Sequence, residues 1–189
     1  MIWPFGNLRE LSYDLVVIDC PWPFKLYSDK GNKKSAAKHY KLMTLADIKA
    51  LPAGRLAQRN CLFFVWVPAP QLAAGIDTMR AWGVQYKTNL IWRKTTASGK
   101  VRMGPGFWAR TMHEQVLVGT IGKPGKISAL PSIFDGVARE HSRKPDEFYT
   151  LVEKHTSGLR RADVFSRESR PGWEAFGDEA GKFDKEIAA

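Results

Sequence analysis

The stretch YDLVVIDCPWPF, Tyr13 to Phe24, decides how this chain is read. DLVVI (14–18) is a short apolar run rich in β-branched residues, the pattern of a strand covered on both faces. It stops at a carboxylate, Asp19, and passes into Cys20-Pro21-Trp22-Pro23, where the chain must turn. In open parallel sheets ligands bind beyond the carboxyl ends of strands, and Asp19 to Trp22 fall at such an end. Asp19 offers an anionic acceptor. Pro21 and Pro23 have no N–H, so the turn presents carbonyl oxygens and few donors. Trp22 supplies a flat apolar face. Together these groups suit a planar ligand with an amino group at its edge, the N–H groups on oxygen and the ring on the indole.

Outward from this stretch the apolar pattern alternates between strand and helix. TLADIKAL reads as a short helix with Thr44 as N-cap and Asp47 three residues on. CLFFVWV (61–67) is a second buried strand, QLAAGIDTMRAWG a helix ending near Gly83, and VQYKTNLIWRKT and EQVLVGTI (114–121) further strands. KPDEFYTLVEKHT is the clearest helix. Pro145 suits its first turn, Asp146 and Glu147 complement its positive end, and Phe148, Leu151, Val152 and His155 share one face. ADVFS (162–166) reads as the last strand, and Trp173 as a core residue. The alternation predicts one α/β domain over 1–189 with a mostly parallel sheet.

The chain has 189 residues and a formal net charge of +10, a surface that attracts polyanions. By charge alone a merely solubilising surface fits as well. Two basic, turn-rich stretches stand out. Residues 25–41 carry Lys25, Lys30, Lys33, Lys34, Lys38 and Lys41 against Asp29, and residues 92–106 carry Arg93, Lys94, Lys100 and Arg102 with no acid. They read as mobile loops. Their functional reading is phosphate contact, with Tyr27, Tyr40, Trp92, Phe107 and Trp108 at hand to stack on bases. Cys20 and Cys61 suggest neither a disulfide scaffold nor a metal site. No signal peptide is evident at the start, and the longest apolar run is broken by Pro68 and Pro70, short of the ~18 apolar residues of a membrane span. The expected setting is the cytoplasm.

An exocyclic amine on a purine is a poor nucleophile, because its lone pair is delocalised into the ring. Acceptors around its N–H groups polarise the nitrogen, and a methyl group on a sulfonium donor can then be attacked in line. Positioning and electrostatics carry such a reaction. With WPFGNL before YDLVVIDCPW, and HYKLMTLADIKALP, LFFVWV, IWRKT, HEQVLVGTIG, HSRKPDEFYTLVEK and RPGWEAFGDE after it, nearly the whole chain resembles the MT-A70 family of adenine-N6 methyltransferases.

That resemblance implies a Rossmann-like, class I S-adenosylmethionine-dependent methyltransferase with circularly permuted motifs, the catalytic turn first and the cofactor segment late. It implies that Asp19 and the Cys20 carbonyl hold the target amino group, with Pro21 in the turn and Trp22 beside the base. Tyr40, Trp92, Lys94 and Glu114 match positions on the substrate side. Asp19, Lys144, Arg167, Asp178 and Glu179 match the cofactor side, with Lys144 and the start of its helix converging on a carboxylate. The substrate is nucleic acid, DNA before RNA on the ground that compact members are mostly prokaryotic or viral. Single-stranded or unpaired adenine is favoured, because flipping from a duplex costs a few kcal/mol. A homodimer or a heteromeric partner fits the family equally. Two departures stand out: Cys20 replaces the first proline of the signature, and Asp178 an amide. Competing readings are a non-catalytic nucleic-acid-binding partner subunit, an N4-cytosine methyltransferase, and a C5-cytosine enzyme with Cys20 as nucleophile. The acid before Cys20 speaks against the last by blunting the thiol.

Overall fold

A computed structural model describes residues 2–23, 42–106, 108–125, 127–140 and 142–184. The basic stretch 25–41, with Tyr27 and Tyr40, lies outside the described residues, as does Phe107.

Among the described residues the strands are β1 (Tyr13–Ile18), β2 (Ala57–Val67), β3 (Gln85–Thr95), β4 (His113–Ile121), β5 (Ile133–Val137), β6 (Arg161–Val164) and β7 (Trp173–Phe176). The helices are α1 (Leu45–Ala50), α2 (Leu72–Ala81) and α3 (Asp146–His155). The strands form one seven-stranded sheet in the order β5-β3-β4-β2-β1-β6-β7. Only β4 runs against its neighbours, β2 and β3; the other pairings are parallel. The fold is the α/β type with a mostly parallel sheet that the alternation predicts, and it is consistent with the Rossmann-like class that the resemblance implies.

β1 shows why the sheet is covered on both sides. Its side chains alternate, so Val16 and Ile18 join Phe63, Val65 and Val67 of β2 under Ile48 of α1 and Met79 of α2. Leu15 and Val17 join Leu62, Phe64 and Trp66 on the other face, under Phe148, Tyr149 and Val152 of α3. Each fully buried side chain of this size contributes roughly 1.5–3 kcal/mol relative to exposure. Gly75 lets α2 approach, since a Cβ there would stand 2.8 Å from Val67 and 3.1 Å from Leu117. Thr44 caps α1 as expected, accepting from the Asp47 N–H at 3.1 Å and donating to its carboxylate at 2.7 Å.

Three differences from the sequence reading matter. The run 162–166 is not the last strand: β6 ends at Val164, and β7 lies beyond it. β5 was not anticipated, because IFDGV carries an acid and a glycine in five residues. The basic stretch 92–106 begins inside β3, which continues to Thr95.

The connection from β1 leads to β2 on one side, and that from β6 leads to β7 on the other. The strand order therefore switches direction between β1 and β6, the place where open α/β sheets bind ligands.

Candidate active site

At that switch the ladder between β1 and β6 extends one step past β1, the Asp19 N–H donating to the Val164 carbonyl at 3.1 Å. Asp19 is thereby set beside Phe165, where β6 ends. A cavity of about 340 Å³ opens there. Asp19 and Pro21 line it from β1, Leu42, Met43 and Asp47 from the start of α1, and Ser142 from the approach to α3. Phe165, Ser166 and Arg167 line it from beyond β6, and Asp178 and Glu179 from beyond β7. Phe165 and Ser142 have φ of +62° and +63°, a left-handed conformation that a phenylalanine adopts only where its surroundings impose it.

Behind Asp19 runs a row of alternating charges. Lys144 Nζ lies 3.1 Å from Asp19 Oδ2 and 3.1 Å from Glu114 Oε2, and Lys94 Nζ lies 2.6 Å from Glu114 Oε1. The ammoniums also sit over indole faces, Lys144 at 4.9 Å from the Trp66 ring centroid and Lys94 at 5.0 Å from that of Trp92. Burial pushes the Asp19 carboxyl up to about 6; Lys144 opposes the rise and the like charge of Glu114 adds to it. Burial pushes Glu114 up too, but Lys144 and Lys94 outweigh it and hold Glu114 at about 2. Burial acts against the Lys144 charge, yet Asp19 and Glu114 hold its pKa above that of an ordinary lysine.

The turn after Asp19 faces inward more than its sequence suggested. Trp22 is buried, and its indole N–H donates to the Trp66 carbonyl at 2.8 Å. The Trp22 backbone N–H donates to the Cys20 carbonyl at 2.8 Å, leaving one lone pair of that oxygen for another donor. The Cys20 thiol is buried, and burial followed by the Asp19 charge raises its pKa well above the usual value. A thiol so held is no nucleophile at neutral pH.

The other expected residues divide. Arg167, Asp178 and Glu179 meet at the cavity, with Arg167 paired to Glu179 at 2.7 Å. Glu114, Lys94 and Lys144 meet in the charged row, where Lys144 pairs with both Asp19 and Glu114. Trp92 is buried, its N–H donating to the Gly136 carbonyl at 2.8 Å, and it does not line the cavity. Trp173 is buried in the core as expected, bonded to Glu153 at 2.6 Å.

Sequence reading did not single out Leu42, Met43, Ser142, Phe165 or Ser166, although Phe165 and Ser166 immediately precede Arg167 at a strand's carboxyl end. Nor did it find Glu168, which accepts from Arg143 at 3.1 and 2.7 Å and from Arg170 at 2.8 Å, tying the loop after β6 to the segment before α3. Nor did it find Asp163, buried in β6 and bonded to the Tyr149 hydroxyl at 2.9 Å. A carboxylate inside an apolar strand was the available signal.

The donor set fits an S-adenosylmethionine type of cofactor. Asp178 and Glu179 offer acceptors for hydroxyls, Leu42, Met43 and Phe165 an apolar wall for a ring, Arg167 and Lys144 cations for a carboxylate, and Asp19 an anion for a sulfonium.

A family model described as MT-A70 matches residues 13–179. The type II methyltransferase M.MunI of Mycoplasma sp is 26% identical over 192 residues, covering 92% of this chain and 80% of that protein. The N(6)-adenosine-methyltransferase MT-A70-like protein of Drosophila melanogaster is 28% identical over 189 residues, 94% of this chain and 29% of its own length. The human N(6)-adenosine-methyltransferase catalytic subunit METTL3 is 30% identical over 128 residues, 65% of this chain and 22% of its own. The chain thus spans less than a third of the length of the fly and human relatives.

Proposed function

The chain belongs to the MT-A70 family, and from that premise we propose that it is an S-adenosylmethionine-dependent methyltransferase acting on the N6 amino group of adenine in nucleic acid. DNA is put before RNA because the relative matched over 80% of its own length is a type II methyltransferase, whereas the adenosine methyltransferases are matched over a small part of theirs. Single-stranded or unpaired adenine is the favoured form. The human relative is named a subunit, which supports a partner chain here too. Two unpaired cysteines suit a reducing compartment such as the cytoplasm. Among the described residues no helix is long and apolar enough to cross a membrane.

The observation that carries the reading is the position of Asp19: an anionic acceptor at the strand-order switch, on the wall of a cavity whose far side is lined by Arg167, Asp178 and Glu179. Bound there, the cofactor supplies an electrophilic methyl group on sulfur. Arg167 and Lys144 would take its carboxylate, and Asp178 and Glu179 its ribose hydroxyls. The Asp19 carboxylate and the Cys20 carbonyl accept the two amino N–H bonds of adenine, drawing the nitrogen lone pair out of conjugation and aiming it into the cavity. Pro21 keeps the rim free of a competing donor. Lys144 serves as counter-ion to Asp19, and Glu114 and Lys94 hold Lys144 in place. Trp22 acts through the fold, fixing the turn by its bond to Trp66. The surplus proton of the methylated amine passes to solvent through Asp19, which burial has brought to about 6. Preorganised acceptors of this kind are worth roughly 10²–10³ in rate each.

The test is incubation with tritiated-methyl cofactor and matched single- and double-stranded DNA and RNA, followed by nucleoside chromatography. The expected product is N6-methylated adenine nucleoside, faster from single strands and lost in Asp19→Ala. Label on cytosine N4 would replace adenine as the substrate, and cofactor binding without transfer to any polymer would leave a non-catalytic subunit.

A further inference from the structure

Beyond β7 the chain folds back onto the loop that follows β6. Turn bonds shape the returning segment: the Ala180 N–H donates to the Gly177 carbonyl at 3.1 Å, the Lys182 N–H to that of Glu179 at 3.0 Å, and the Asp184 N–H to that of Gly181 at 3.0 Å. Gly181 has φ of +85°, a left-handed position that favours glycine. Two bonds then fix the segment to the loop. The Phe183 N–H donates to the Arg167 carbonyl at 3.1 Å, and the Asp184 carboxylate accepts from the Ser169 N–H at 2.7 Å.

This return sets one aromatic ring against two cations. The Arg167 and Arg143 guanidiniums both sit over the Phe183 ring, each 4.9 Å from its centroid. Their side chains are only 11% and 15% exposed, and a cation–ring contact shielded from water is stronger than one at an open surface. The two arginines belong to the two segments that supply cations to the site: Arg167 is on the far wall of the cavity, and Arg143 directly precedes Lys144. Each also has a carboxylate partner, Glu179 for Arg167 and Glu168 for Arg143, both at 2.7 Å. A carboxylate fixes where one edge of a guanidinium lies. A ring against its face fixes the plane, and with it the direction of the N–H fork. Phe183 does not itself line the cavity.

We propose that Phe183 is a positioning residue for the cofactor: its ring sets the plane in which Arg167 meets the cofactor's carboxylate, and through Arg143 it ties that wall to the segment bearing Lys144. The inference rests on the cofactor reading of the cavity and adds a residue behind its wall. The backbone bonds of the returning segment do not depend on the ring, so Asp178 and Glu179 keep their places when the ring is changed.

The test is calorimetric titration of the full chain with S-adenosylmethionine and with 5′-methylthioadenosine, which keeps the nucleoside and the sulfur and has no carboxylate. The proteins are wild type, Phe183→Ala, Phe183→Leu, Phe183→Tyr, Arg167→Ala and the double variant Phe183→Ala with Arg167→Ala. Phe183→Ala and Phe183→Leu should bind S-adenosylmethionine about fivefold more weakly, and Phe183→Tyr as wild type does, because only an aromatic face holds the guanidinium. Leucine keeps apolar packing, so Phe183→Leu separates the ring contact from loss of the fold. Methylthioadenosine should bind wild type and Phe183→Leu equally. On the Arg167→Ala background Phe183→Ala should cost nothing further, since the two residues act as one. In methyl transfer the KM for the cofactor should rise in Phe183→Leu while kcat holds. Wild-type affinity for S-adenosylmethionine in Phe183→Leu overturns the proposal. So does an equal loss of both ligands, or a full additional loss in the double variant, either of which would leave Phe183 a purely structural residue. A wild type that binds S-adenosylmethionine while Phe183→Ala binds it equally well refutes the positioning role alone; a wild type that binds neither ligand refutes the cofactor reading on which it rests.

Discussion

In the proposed mechanism Asp19 accepts only while ionised, and burial pushes its carboxyl up to about 6. The kcat/KM of methyl transfer should therefore rise with pH, reach half its plateau near pH 6 and stay flat above. The neighbours set the direction of any displacement. Glu114 raises the Asp19 pKa by like charge, so Glu114→Gln should move the midpoint below 6; Lys144 lowers it, so Lys144→Met should move it above 6. A midpoint unmoved in both variants would mean that the acid limb belongs to another group. For stability the two carboxylates pull in opposite senses. The folded pKa of Asp19 is raised from 3.8, so its contribution is fullest below that value and is lost as pH rises through 6. That of Glu114 is lowered from 4.5, so its contribution is present above 4.5 and is lost as pH falls through about 2. Cys20 offers a second test at this scale. In the proposed mechanism its buried thiol takes no part, so Cys20→Ala should keep methyl transfer within about twofold of wild type while costing about 1 kcal/mol of stability for the small void. Loss of activity in a Cys20→Ala protein that still folds would restore the cysteine-nucleophile reading.

Among the elements, the end of β3 shows how a residue attractive as a ligand contact can be a structural one. Trp92 bonds the Gly136 carbonyl at 2.8 Å and meets Trp66 edge to face at 5.9 Å. Gly136 in turn has no room for a side chain, since a Cβ there would stand 2.7 Å from Pro145. Trp92 thus joins β5 to the start of α3, the segment that carries Lys144. Trp92→Phe should lower stability by roughly 1–3 kcal/mol, for the buried carbonyl left without a donor, and leave the KM for nucleic acid unchanged. A raised KM with an unchanged melting temperature would make Trp92 a substrate contact after all. The strand VQYKTNLIWRKT is found as β3, but its sequence does not announce that the pleat turns Trp92 inward and Arg93 to solvent. The long apolar strands and capped helices were legible because each needs only local pattern. β1 and β2 are buried on both faces, and α1 carries Thr44 and Asp47 in capping register. β5 and β7 were not legible. IFDGV and WEAF are too short to show a period, and each is held by a neighbour distant in sequence, β3 and β6. At the site Asp19 was readable because a charge ends an apolar run, whereas Ser142 and Phe165 line the cavity through backbone shape, which no residue type announces.

The whole molecule is arranged so that distant parts of the chain meet at one edge of the sheet. Asp19, Asp47, Ser142, Arg167 and Asp178 line one cavity although they span most of the sequence. The late position of β6 and β7 explains why no glycine-rich turn appears after β1: the strands that border the cavity opposite β1 come last in the chain. A ligand seated there holds the first and last strands together and has no counterpart site in the unfolded chain. It should stabilise the fold by about 2.7 kcal/mol at a hundred times its Kd. For a chain of this size, that is a rise of roughly 5–10 °C in melting temperature. S-adenosylmethionine and its demethylated product should both give this shift, because the proposed contacts are to the hydroxyls and carboxylate that the two share. Arg167→Ala, which removes the cation on the far wall, should abolish most of the shift at the same ligand concentration. Trp108→Ala, between β3 and β4, should keep it. A shift that survives Arg167→Ala in full would place the cofactor elsewhere on the molecule, and the division of roles between the near wall at Asp19 and the far wall at Arg167 would fail with it.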